Sequence, residues 1–242
     1  MDRQTRHQLK HDEFKDTLVS VEEYFKHHYK EVITTAIIVI AVVGLAGGLK
    51  YYNDRQGAAA NADLGEALTT FRAAVGQPTP GQNDPAGSTY ATAQEKYKKA
   101  LQQFNAIMGK YKMLPRPKAV AIARYQAGVC QSLLADHSAA IQTLTEASQD
   151  SDEDIASMSK FALAGELANS GKTADAVKLY QELADHPTIT VPKASALLAM
   201  ADAYRESQPA QARQIYERVG KEFASNSTVS QAVKQDIAGL TP

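Results

Sequence analysis

Residues 32–49, VITTAIIVIAVVGLAGGL, are eighteen consecutive uncharged residues in a chain that is otherwise polar and Ala-rich. As a helix rising ~1.5 Å per residue they extend roughly 27 Å, about the hydrocarbon thickness of a bilayer. A core helix of a soluble protein would show a polar stripe, and this run offers only Thr34 and Thr35. Tyr24, Phe25 and Tyr29 lie before it and Tyr51 and Tyr52 after it, where aromatic residues meet lipid headgroups. The expectation is a transmembrane helix over 32–52, with 1–31 as an amphipathic tail and 53–242 as a helical domain.

A removable leader has a short basic start and an apolar core of about 7–15 residues. Here 31 residues carrying both charge signs precede the run, and no convincing small-x-small cleavage site closes it. The span is therefore expected to be retained. Lys15, Lys26 and Lys30 precede it, whereas Lys50 and Arg55 follow. This modest positive bias predicts a cytoplasmic tail and a domain on the far side of the membrane.

The tail carries Phe14, Leu18, Val21 and Phe25 at helical spacing. That stripe fits either a docking or membrane-surface face, or a plain extension of the span helix. Within the span, Gly44 and Gly48 form Gly-x-x-x-Gly, which lets another helix pack closely in lipid. They are candidates for a helix–helix contact.

Beyond the span the chain is near neutral and lacks the clustered Lys/Arg of a nucleic-acid footprint. Its single cysteine, Cys130, rules out an intramolecular disulfide and reads as a small buried hydrophobe. No alternating strand pattern or Asn-Gly hairpin is present. The fold class is all-α.

Residues 53–76 read as a separate helix ending at Gly76, and 76–89 as a Gly/Pro loop. A further helix is expected from about Thr89 to Lys112. After Pro115 and Pro117 the chain becomes periodic. AIQTLTEA at 140–147, AVKLYQEL at 176–183 and ARQIYERV at 212–219 place Ala140, Ala176 and Ala212 at intervals of 36. Leu144, Tyr180 and Tyr216 follow at a fixed offset. Each block is preceded by a predicted helix, at 118–135, 153–170 and 193–206. A looser copy, ALQQFNAI at 100–107, would pair with 58–75. Such helical hairpins bury their apolar faces only against neighbours, so they stack into an α-solenoid. Helix 226–239, with Val229, Val233, Ile237 and Leu240 on one stripe, is expected to cap the stack.

At these residues the chain resembles tetratricopeptide repeats: Gly128 with Tyr125 and Ala140, Ala164 with Leu163 and Ala176, and Ala212 with Tyr216. The family's preferred Trp and closing Pro are mostly missing, though Pro187 lies near one expected place. The whole arrangement of polar tail, uncleaved span and Ala-rich repeats is similar to the ancillary Sec-translocon subunits of the YfgM type. That resemblance implies a bacterial inner-membrane protein whose repeat domain faces the periplasm. It also implies association with the Sec translocon and work alongside periplasmic chaperones. An envelope-assembly or cell-division scaffold acting through homo-oligomerisation would have a similar sequence.

No catalytic constellation is visible. SGKTAD at 170–175 lacks the spaced glycine and preceding strand of a phosphate-binding loop. His7 and His11, and His27 and His28, have no companions with metal-ligand spacing. There is no Gly-x-Ser-x-Gly turn, and no carboxylate isolated in an apolar setting. The chain is read as a non-enzyme with no cofactor, no metal, no nucleic acid and no small-molecule substrate. Its candidate partner surface is the inner face of the first helices. By the repeat interval this comprises Ile122, Tyr125, Val129 and Leu133; Met158, Phe161 and Asn169; and Leu197, Tyr204 and Arg205. An apolar groove of this kind suits an extended segment or a partner helix.

Overall fold

A computed structural model describes residues 3–76, 89–112 and 116–240, with side chains from Tyr29 onward. The tail stripe and the four tail histidines lie outside the described side chains. Among the described residues the elements are α1 (Arg3–Arg72), α2 (Ala93–Lys110), α3 (Lys118–Leu133), α4 (His137–Ala147), α5 (Glu153–Asn169), α6 (Thr173–Asp185), α7 (Lys193–Tyr204), α8 (Pro209–Glu222) and α9 (Ser227–Ala238). The chain divides into two units, Met1–Arg55 and Gln56–Pro242.

The expected separate helix from 53 does not begin anew. α1 is continuous through that point and stops at Arg72, because no proline interrupts it and Gly57 and Gly65 are tolerated in a helix interior. Within the first unit α1 carries a segment long and apolar enough to cross a membrane, none of it buried. Ile40 and Leu45 are 71% and 68% exposed. Thr34 donates its hydroxyl to the Lys30 carbonyl at 2.7 Å, so the side chain leaves no unmet donor in an apolar setting. At the segment's edges Lys30 lies over the Tyr29 ring and Arg55 over the Tyr51 ring.

In the second unit, the last turns of α1 pair with α2, the partner expected from the looser repeat. Ala60, Leu64 and Ala67 share a core with Ala100, Phe104 and Ile107. Lys110 and Tyr111 both donate to Asp63, at 2.8 and 2.9 Å. The start of α2 differs from expectation. Thr92 caps it by accepting from the Glu95 amide, while Tyr90 is drawn into an isolated bridge with Val75. That bridge holds together the two ends of the Gly/Pro connection.

The three regular hairpins are α3–α4, α5–α6 and α7–α8. Ala140, Ala176 and Ala212 are fully buried, as are Leu144 and Tyr216, with Tyr180 nearly so. The small residue opposite is needed for contact. A Cβ on Gly128 would stand 2.7 Å from the Leu144 side chain, inside van der Waals range. Each second helix packs on its own first helix and on the first helix that follows. α3 also touches α5, and α5 touches α7. The first helices thus form one continuous layer, the inner one. α9 closes the stack, with Val229, Val233, Ile237 and Leu240 all in or against the final core.

Candidate inner-face binding surface

The first helices align by burial rather than by a fixed interval. Ala123, Ala127 and Gly128 in α3 match Ser159, Leu163 and Ala164 in α5, and all six are buried. In α7 the corresponding buried set is Ala196, Met200 and Ala201. Ala164 therefore pairs with Ala201, 37 residues on, while the second helices keep their interval of 36. The third hairpin is one residue shorter between its two anchors.

Two contacts corroborate this offset. The Tyr180 hydroxyl oxygen lies 3.5 Å from where a Cβ on Gly165 would stand. Its counterpart Tyr216 donates its hydroxyl to Asp202. Gly165 and Asp202 each follow directly on their anchors Ala164 and Ala201.

The offset corrects part of the expected surface. Leu197 is only 1% exposed and belongs to the core, because it occupies the face of α7 turned toward its neighbours. Tyr204 is partly buried and packs against the same core. The places on α7 equivalent to Ile122, Tyr125 and Val129 are Ser195, Leu198 and Asp202. Arg205 stays on the inner face but is engaged: its guanidinium donates to Asp202 at 2.8 Å, to the Tyr216 hydroxyl at 3.0 Å and to Asp236 at 3.2 Å. The Tyr216 contact, ahead of its carboxylate partners, holds the guanidinium protonated more firmly than usual.

Ile122, Tyr125, Val129, Met158 and Phe161 are half-buried, whereas Leu133 and Asn169 are exposed. Phe161 sets its edge against the Tyr180 ring at 5.4 Å between centroids. Burial raises the pKa of the Tyr125 phenol. The first two hairpins thus offer an apolar, aromatic strip, and the third offers polar groups.

One cluster escaped the sequence. Glu166 is a carboxylate only 5% exposed, buried but not isolated. Ser132 donates to one of its oxygens and His137 Nδ1 lies 2.8 Å from the other. Serine, histidine and carboxylate suggest a nucleophile, but both partners bond the carboxylate, and a triad needs the hydroxyl on the imidazole. The cluster ties the α3–α4 turn to α5. Its members come from two hairpins, so no local spacing betrays it.

The other sequence features resolve as structure. Gly171, at φ 77°, turns the chain between α5 and α6, and the Lys172 amide bonds back to the Leu167 carbonyl at 2.8 Å. SGKTAD spans the C-cap of α5 and the first turn of α6. Cys130 is fully buried, and burial pushes its thiol up to about 12. Around Gly44 and Gly48 there is open space where a Cβ would stand. Among the described residues no group of three His, Cys, Asp or Glu could hold a metal ion.

The tetratricopeptide-repeat family model matches residues 195–226, the span of α7, α8 and the turn after them. Over those residues the chain is similar to a tetratricopeptide repeat. No curated protein and no solved structure matches it.

Proposed function

We propose that the protein is a membrane-anchored interaction module, with a cytoplasmic tail over 1–31, a single span over 32–52 and a repeat domain over 53–242 on the periplasmic side of a bacterial inner membrane. The observation that carries this reading is a wholly exposed apolar helical segment in the same chain as a tetratricopeptide-type stack. Exposed apolar surface on that scale is costly in water and natural in lipid. The similarity to ancillary Sec-translocon subunits of the YfgM type supports a place beside the translocon and periplasmic chaperones. There the inner face would receive emerging clients or partner proteins. Catalysis forms no part of the proposal.

Protease added to spheroplasts should digest 60–242 and leave a fragment containing tail and span. Full protection of the repeat domain overturns the topology. Crosslinking in native membranes should then recover translocon and chaperone subunits. A second reading, a scaffold that self-associates through its span, is favoured by the open space around Gly44 and Gly48. It expects self-crosslinks alone, with Gly44→Ile or Gly48→Ile abolishing them.

A further inference from the structure

The third hairpin differs chemically from the other two on the inner face. Where α3 and α5 present Val129 and Gly165, α7 presents Asp202. Where they present Leu133 and Asn169, it presents Glu206. The Asp202 side chain stays 53% exposed despite its contacts. Arg205 is shared between Asp202 and Asp236, so one guanidinium faces two carboxylates. Glu206 is exposed and forms no ion pair among the described residues. The local balance is negative.

An independent feature points into the same place. Tyr180 is 4% exposed, yet its hydroxyl reaches the inner face beside Gly165. That hydroxyl makes no hydrogen bond among the described residues. Burial, with the nearby charge of Asp202 second, pushes the phenol up to about 12. It is therefore neutral at physiological pH, with lone pairs able to accept a donor.

We infer that this end of the inner face seats a basic side chain: the bound segment lays apolar residues along α3 and α5 and places a Lys or Arg among Tyr180, Asp202 and Glu206. An ammonium carries three donors and no acceptor, which matches two carboxylates and an unfilled phenol oxygen. Charge-assisted hydrogen bonds of this kind are about twice as strong as neutral ones. An acidic segment would meet repulsion at the same place. The inference rests on the inner face being the partner-binding surface.

The test uses the full chain in zwitterionic detergent and two fluorescent peptides. Both have the same Leu- and Phe-rich centre, one flanked by Lys and the other by Gln. At low salt the Lys-flanked peptide should bind about tenfold tighter, the scale of one charge-assisted contact, and lose that advantage as salt screens it. Asp202→Asn with Glu206→Gln should reduce the advantage to about twofold or less, and Tyr180→Phe should lower it as well. If the double variant loses helicity by circular dichroism, Glu206→Gln alone decides, since its site is exposed; it should still cut the advantage by about threefold. Equal binding of both peptides to the unaltered chain overturns the basic seat and leaves the groove standing. Binding by neither overturns the groove itself. A Lys advantage that survives the carboxylate changes overturns the placement.

Discussion

At Gly128 a Cβ would stand 2.7 Å from the Leu144 side chain of α4. Leu144 is fully buried. Gly128→Val should therefore destabilise the fold by about 1–3 kcal/mol through overpacking, read as a lower urea midpoint. In a Leu144→Ala background the added cost should shrink, because the obstructing methyl groups are gone. Asp63 carries a different kind of residue-level effect. Hydrogen bonds from Lys110 and then Tyr111 hold its carboxyl below the ordinary 3.8. A carboxylate whose folded pKa is depressed stabilises fully above the unfolded value and stops doing so as pH falls through the folded one. The stability gap between the unaltered chain and Asp63→Asn should thus be present at neutral pH and close at pH below 3.8. Denaturant titrations across that range would show it, and a gap that persisted in acid would deny the pairing.

At the scale of elements, α9 has one packed face and a side-chain cap: Asn226 accepts from the Val229 amide at 3.2 Å. Asn226→Ala should cost about 0.5–2 kcal/mol and speed amide exchange in α9 before the other helices. The hairpins themselves were legible because Ala140, Ala176 and Ala212 recur at a strict interval with a bulky residue after each. α9 was legible for a similar reason, a single clean apolar stripe. α7 was not. Its residues Ala194, Ala196, Leu197, Leu198, Ala199, Met200, Ala201 and Ala203 put apolar side chains on every side. With no polar stripe to mark the outward face, only the interval of the second helices remains as a guide, and it points to Leu197 in place of Leu198. The continuous helix through 53 was hidden for the opposite reason. Polar residues follow the span there and resemble a boundary, although nothing in the backbone breaks. The Glu166 cluster illustrates a third limit: its partners meet only when two hairpins stack.

For the whole molecule, the exposed segment of α1 and the inner face should be separable by experiment. Val42→Arg with Val43→Arg places two charges amid the apolar run, at about 2.5–3.5 kcal/mol each near a bilayer centre. The protein should then leave the membrane fraction on carbonate extraction while keeping its helicity. Tyr125→Ser with Val129→Ser should instead leave it in the membrane and weaken peptide binding by about tenfold, the loss of one interfacial anchor. The contrast along the stack, aromatic over α3 and α5 and ionic over α7, has a vectorial consequence. A strip that is alike from end to end accepts a segment in either sense, whereas one with unlike ends distinguishes head from tail. A peptide and its reversed sequence have equal composition, yet on this surface they are different ligands, so a chain lying here would have a set direction relative to its own N-terminus.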